Sequence, residues 1–204
     1  MNSISWILSL VTPMLLHMVL SELSVVLLGS SGNTALCTTA AAAMTIPIAV
    51  FLFRREHGKT RSQIVRPLFG VFCFAAGGIL NIIWSGILNW IQIGEMFSNA
   101  TQEALLASEL ILQVIGLGLI VPLAEELIFR GLIYNRMKQL LSVPLSVFFS
   151  ALLFAVYHGN PIQMIFAFPM ALALAAVYEK GKSFLFPVLF HMGANLTAIL
   201  VNLG

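Results

Sequence analysis

The sequence predicts an all-α, polytopic integral membrane protein with about seven transmembrane helices in one membrane domain, residues 1–204. Hydrophobic residues make up 59% of the chain and charged residues only 9%, and long apolar runs alternate with short polar breaks. Ordinary soluble domains carry about 25% charged residues. A chain with so few charges does not cover a soluble surface, so most of it must lie in lipid.

Seven apolar runs approach the length of about 20 residues that a helix needs to cross the hydrocarbon core. They are Ile4–Leu28, Ala35–Phe53, Leu68–Ile91, Ala107–Tyr134, Val143–His158, Pro161–Tyr178 and Phe184–Val201. The runs are separated by turns at Gly29–Asn33 and Gly159–Pro161, by the polar segment Gln92–Thr101, and by charged segments elsewhere. The first run lacks a basic leader and is too long for the apolar part of a signal peptide, so we expect a retained helix.

The basic residues indicate how the helices are oriented. All ten Lys and Arg residues fall into three groups: Arg54, Arg55, Lys59, Arg61 and Arg66; Arg130, Arg136 and Lys138; Lys180 and Lys182. Lys and Arg in short loops stay on the cytoplasmic side. With seven helices, a cytoplasmic N-terminus places all three groups on that side. We expect an integral cell membrane protein, and its small size, with no organellar targeting segment, suggests a bacterial plasma membrane.

The composition also excludes several functions. All eight acidic residues are Glu and the chain contains no Asp. This excludes an aspartyl intramembrane protease, a Ser–His–Asp triad and a Mg²⁺ site built on Asp. A net charge of +2 offers no basic surface for nucleic acid.

Three small features are predicted to be structural. Cys37 and Cys73 stand apart in apolar runs, which favours packed thiols over a disulfide or a metal site. Gly29–Gly32 reads Gly-Ser-Ser-Gly, which matches the Gly-x-Ser-Gly of serine intramembrane proteases. Its position between two helices favours an ordinary turn.

Ionisable residues inside the apolar runs are candidates for function, because a charge within the bilayer costs several kcal/mol. They are His17, Glu22, Glu125, Glu126, Arg130, His158 and His191. Glu126 and Arg130 are four residues apart, within ion-pair reach on one helical face. Glu125 is rotated by about 100° from Glu126, does not share that partner, and is free to act as a general base.

Two further polar positions complete the set. Asn195 follows His191 by four residues, so both side chains lie on one stripe of the last helix. Two Glu, two His and one Asn on three apolar helices are costly unless they share a hydrated site. His17 and Glu22 are five residues apart and do not face each other well, so hydrogen bonds within the bundle are favoured for both.

The order of these motifs resembles the CPBP family, also called Abi. The motifs are Glu125-Glu126-x-x-x-Arg130, Phe154-x-x-x-His158 and His191-x-x-x-Asn195. The family includes the type II CAAX prenyl endopeptidases, or Ras-converting enzymes, and bacteriocin-processing and immunity proteins. The resemblance covers residues 107–204, the expected catalytic core. Residues 1–106 match only as three helices of generic membrane character.

The resemblance implies roles for the polar residues. Glu125 would activate a water with help from His158, while His191 and Asn195 would form an oxyanion hole. Glu126 and Arg130 would be supporting residues. The implied function is an intramembrane endopeptidase that hydrolyses membrane-associated peptides or proteins, with its site at or within the cytoplasmic half of the bilayer.

Several alternatives stay open. A metal-free reaction without a cofactor is favoured, but two His and one Glu could also hold a catalytic Zn²⁺. A non-catalytic membrane binding, immunity or regulatory protein is the first rival, and a small transporter with a proton relay is the second.

Depth is a difficulty for all of these functions. At about 1.5 Å per residue, Glu125 lies roughly 20 Å along its helix from Lys138. His158 lies roughly 24 Å from Ser142, and His191 lies roughly 13 Å from Lys182. These side chains meet only if the fifth helix tilts or begins deep, or if residues 140–144 dip into the membrane.

Overall fold

The structure is a computed structural model that describes residues 3–57, 66–96 and 100–203, with side chains over 6–56, 66–94 and 100–203. Two of the basic residues counted above, Lys59 and Arg61, lie outside these ranges. Within them every element is a helix and there is no strand.

Seven longer helices form the bundle in the part of the chain that is described, and each overlaps one predicted run. They are α1 Ser3–Leu28, α2 Thr34–His57, α3 Pro67–Trp90, α4 Leu110–Met137, α5 Val143–Tyr157, α6 Pro161–Gly181 and α7 Leu185–Asn202. All except α5 are long and apolar enough to cross a membrane, and α5 is a shorter apolar helix. The predicted fold class, an all-α polytopic membrane protein, is confirmed. The predicted polar break before α4 contains two short helices, Ile93–Met96 and Ala100–Leu106.

Local sequence explains where the helices begin and turn. Gly29–Ser31 forms one 3₁₀ turn, and Gly32 closes it at φ 68°, a backbone conformation that glycine adopts without strain. Asn160 caps α6, because its Oδ1 accepts hydrogen bonds from the backbone N–H groups of Ile162 and Gln163. Pro161 occupies the first turn, where a missing N–H costs nothing. The predicted turns at both places are confirmed.

The basic loops gather at one end of the bundle, which we call the basic end. Arg136 at the end of α4 pairs with Glu56 at the end of α2, and it donates to the carbonyl of Ser9 on α1. Lys138 pairs with Glu179 near the end of α6. The structure thus brings basic residues from separate loops together, and the side of the membrane that they face remains a prediction.

Helices α3 and α7 run parallel in the closest contact of the bundle. A Cβ added to Gly77 would lie 1.9 Å from the carbonyl oxygen of Phe190, and one added to Gly193 would lie 2.0 Å from that of Phe74. Small residues let the two backbones touch, as is common between membrane helices. The contact fixes the position of α7 along the axis of the bundle, and with it the depth of every side chain on α7.

We expect Gly77→Ala to lower the free energy of unfolding by about 1–3 kcal/mol, because the new methyl group must push two backbones apart. Gly86→Ala on the same helix is the matched control, since a Cβ there meets nothing within 4 Å. Denaturation of both variants in mixed micelles measures the difference. Equal stability of the two variants would contradict a close backbone contact at Gly77.

Candidate active site

A cavity of about 710 Å³ lies between the helices, away from the basic end. It extends from the middle of α4 to the loop between α3 and α4, and we call that end of the bundle the cavity end. Its lining includes Glu125, His158, His191 and Asn195. The structure therefore brings all four predicted catalytic residues to one cavity. Glu126 and Arg130 lie behind its wall.

The catalytic candidates lie at one depth in the bundle. Glu125 lies about 18 Å along α4 from Met137, and His158 about 22 Å from the start of α5, so the two differ by only a few Å. His191 lies at the level of both adjacent carboxylates, with Nε2 3.7 Å from Glu125 Oε2 and Nδ1 3.0 Å from Glu126 Oε1.

Glu126 is the centre of a buried charge cluster. Its Oε1 atom lies 3.0 Å from Arg130 Nη1 and 3.0 Å from His191 Nδ1. Arg130 also donates through Nη2 to the carbonyl of Ala171 at 3.1 Å and stands 4.6 Å over the ring of Phe154. The cluster joins α4 to α5, α6 and α7, and it contains the ion pair expected from the spacing.

Glu125 faces the cavity without a cationic partner of its own. It is 7% exposed, and its Oε2 lies 3.7 Å from His191 Nε2, which is longer than a hydrogen bond. The neighbouring carboxylate, Glu126, takes the buried arginine. Of the two adjacent carboxylates, Glu125 is therefore the one that can accept a proton from a molecule in the cavity.

The hydrogen bonding of His158 fixes its tautomer. Its Nδ1 lies 2.8 Å from the carbonyl oxygen of Phe154, and a carbonyl only accepts, so Nδ1 carries the hydrogen. In the neutral ring Nε2 then has a free electron pair. The rings of Phe154 and Tyr157 hold the imidazole at centroid distances of 4.9 and 5.6 Å. His158 is thus set up to accept a hydrogen bond in the cavity.

Asn195 has a structural hydrogen bond that the sequence reasoning missed. Its Nδ2 donates to the carbonyl of Leu117 at 2.9 Å. Residues Gln113–Ile120 are π-helical, and the N–H of Val121 bonds to Gly116, five residues back. The next residue, Pro122, has no N–H, so the carbonyl of Leu117 lacks a backbone donor from its own helix. Asn195 supplies the missing donor, and its second Nδ2 hydrogen remains available to a molecule in the cavity.

His191 lies between the two adjacent carboxylates of α4. Its Nδ1 donates to Glu126 Oε1 at 3.0 Å, because a carboxylate accepts. The other ring nitrogen, Nε2, lies on the side of Glu125, 3.7 Å from its Oε2. The bond to Glu126 thus fixes the orientation of the imidazole at the cavity.

Sequence reasoning also missed a polar stripe on α3. Asn81, Ser85 and Asn89 line the cavity, and their spacing of four residues was the available signal, because it puts them on one helical face. Of the two unexplained residues of α1, His17 is buried with Nδ1 2.7 Å from Thr45 Oγ1. That contact is the structural role expected for it. Glu22 instead lines the cavity.

The remaining predicted features are structural where the chain is described. Ser30 and Ser31 are exposed in their turn and do not line the cavity. Cys37 and Cys73 are free and buried. In the ranges 3–57, 66–96 and 100–203, no three His, Cys, Asp or Glu side chains are grouped so that they could hold a metal ion.

The position of the cavity differs from the expectation for depth. The predicted site was in the half of the bilayer next to the basic residues. The cavity instead begins near mid-bundle and extends to the opposite end, because its lining follows α3 beyond Asn89 and includes Gly94 and Gln102.

Fold and site together define an all-α membrane protein whose polar centre is formed by α4, α5 and α7. Residues 107–197 match the model of the family described as Type II CAAX prenyl endopeptidase Rce1-like. The match confirms the resemblance inferred from the motifs, and it contains every predicted catalytic and supporting residue. No curated protein and no solved structure matches the chain in the corresponding comparisons.

Proposed function

We propose that the protein is an intramembrane endopeptidase that hydrolyses peptide bonds of membrane-associated peptides or proteins. The observation that supports this most is the convergence of Glu125, His158, His191 and Asn195 on one cavity. A general base and hydrogen-bond donors around a shared space are what amide hydrolysis requires. The family match over the same helices supports the same class of reaction.

The first step of the proposed reaction uses Glu125. Its carboxylate takes a proton from a water molecule, while His158 Nε2 accepts the hydrogen bond from the other hydrogen of that water. The oxygen attacks the carbonyl carbon of the substrate and forms a tetrahedral intermediate. The intermediate then expels the amine, which leaves with the proton held by Glu125. Glu125 thus ends as a carboxylate, and the products are an acid and an amine.

The oxyanion of the intermediate would be stabilised by His191 and Asn195. The second Nδ2 hydrogen of Asn195 is one donor, and Nε2 of His191 is the other when both nitrogens of that ring carry hydrogen. Donors fixed in a dry site stabilise such a charge by about 3–4 kcal/mol each. The bond from Asn195 to Leu117 and the bond from His191 to Glu126 hold both side chains in place before substrate binds.

We propose that the reaction needs no metal and test this with the purified protein in detergent. A fluorogenic peptide library identifies a cleaved sequence, and the rate is then measured with and without a strong zinc chelator. We expect an unchanged rate, because Glu125 and His158 supply the base. Complete loss of activity that Zn²⁺ alone restores would establish the zinc-dependent alternative instead.

A membrane binding protein without catalysis is the second candidate. The engagement of His191 and Asn195 in hydrogen bonds within the bundle favours it, because structural roles alone could explain both residues. The same library separates the two functions, since a binding protein retains peptides but releases no products. For either function we propose a bacterial plasma membrane, with an N-terminus that the distribution of Lys and Arg places on the cytoplasmic side.

A further inference from the structure

The polar stripe of α3 has hydrogen-bonding capacity that the bundle does not use. Asn81 is only 4% exposed and lines the cavity. Within the described part of the chain, the side chains of Asn81, Ser85 and Asn89 make no hydrogen bond. The amide of Asn81 is not among the fully buried polar atoms that lack a partner, so it is open to the cavity, where a ligand can bond to it.

The geometry of the stripe suits an extended peptide. From Asn81 to Asn89 it runs about 12 Å along α3, which equals three to four residues of extended chain at about 3.3 Å each. An Asn side chain offers both a donor and an acceptor, as does a peptide group. The stripe leads from the middle of the bundle towards the cavity end.

The charges around the cavity have one sign apart from its two histidines. Glu22 and Glu125 line it, and none of the Lys and Arg residues with a described side chain does. Glu22 is exposed and has no ion pair among the described residues. Two further carboxylates, Glu103 and Glu109, lie at the cavity end, whereas the basic loops lie at the other. A low-dielectric cleft lined by one sign of charge attracts the opposite charge.

We propose that the cavity binds an extended, positively charged peptide segment. Its main chain hydrogen-bonds to Asn81, Ser85 and Asn89, and a Lys or Arg side chain of the peptide pairs with Glu22. Cleavage of that segment rests on the proposed function, but its binding does not. The α3 stripe is thus a positioning surface for substrate, outside the segment that matches the protease family.

The test measures binding separately from cleavage. Two fluorescent peptides with the same sequence, one with Lys and one with Gln at each basic position, are titrated by anisotropy against the Glu125→Ala protein in detergent. Against this background we expect the Lys peptide to bind about tenfold more tightly. Adding Glu22→Gln should reduce that preference by a factor of about three to five, which is the usual effect of losing a solvent-exposed ion pair. Raised salt should have the same effect.

Two further variants in the same background locate the contact. Asn81→Ala should weaken both peptides by about tenfold, since each loses main-chain hydrogen bonds in a buried place. Ser85→Ala, a smaller change in the same stripe, should weaken both less. The matched control is Glu109→Gln, which removes a carboxylate at the cavity end that does not line the cavity; binding should be unchanged. Gel filtration confirms that each variant is folded.

The outcomes separate this inference from the proposed function. Equal binding of the two peptides, or an undiminished preference in the Glu22→Gln protein, would overturn the inference. Cleavage of both peptides by the wild-type protein at equal rates would also overturn it and leave the proteolytic function intact. Tight, charge-dependent binding with no cleavage by the wild-type protein would support the inference and contradict the proteolytic function.

Discussion

Replacing Glu125 by alanine is expected to reduce peptide cleavage by roughly 100- to 10,000-fold, the contribution typical of a general base. Of the two adjacent carboxylates of α4, Glu125 is the one that faces the cavity without an arginine or lysine partner, and its removal takes away the base of the proposed reaction. Glu125→Gln keeps the shape of the side chain and should lose as much activity. Rates with a cleaved peptide, measured at saturating and at low substrate, give the loss in kcat and in kcat/KM.

The control for this variant must remove a carboxylate without touching the site. Glu109→Gln does so, because Glu109 is exposed at the start of α4 and does not line the cavity. We expect wild-type rates from it and an unchanged elution volume from all three proteins. Full activity in a folded Glu125→Ala protein would end the assignment of Glu125 as the base.

Replacing Arg130 by methionine is expected to lower the free energy of unfolding by about 3–5 kcal/mol, because it leaves a buried carboxylate without its cation. Glu126 is 0% exposed, and its Oε2 has no hydrogen bond among the described residues. The guanidinium also holds the carbonyl of Ala171 on α6. Denaturation in mixed micelles measures the loss.

A second variant distinguishes the uncompensated charge from lost packing. Arg130→Met combined with Glu126→Gln removes both charges, so we expect it to be more stable than the single change. Lys182→Met breaks an ion pair whose lysine side chain is 75% exposed, and such pairs contribute at most about 1 kcal/mol. A loss for Arg130→Met no larger than that of Lys182→Met would contradict the central role of the cluster.

The helices were largely predictable from the sequence because membrane helices depend on local composition. A helix satisfies all its backbone hydrogen bonds within one segment, so an apolar run of sufficient length is enough to identify it. The breaks at Gly29–Asn33 and Gly159–Pro161 were equally local, since glycine, asparagine and proline favour turns by their own geometry. The two short helices before α4 were missed because they lie in a polar segment with no clear apolar period.

Parts of the site were not predictable because they depend on contacts between distant segments. The spacing of Glu126 and Arg130 predicted their ion pair, but nothing near them in sequence indicates that His191 shares the same carboxylate oxygen. Pro122 predicts a carbonyl without a donor, but the partner, Asn195, comes from a helix far along the chain. The stripe on α3 was visible as a spacing, and only the position of the cavity gave it a meaning.

The sequence by itself determined the membrane class, the seven helices, the grouping of the basic residues and the set of polar residues inside the apolar runs. It did so because the length and mean hydropathy of a segment indicate whether it crosses the hydrocarbon core. The tertiary structure decided that His191 shares the paired carboxylate, that His191 lies at the depth of Glu125, and at which end of the bundle the cavity lies. These depend on contacts such as the one at Gly77, where packing sets the position of one helix along another.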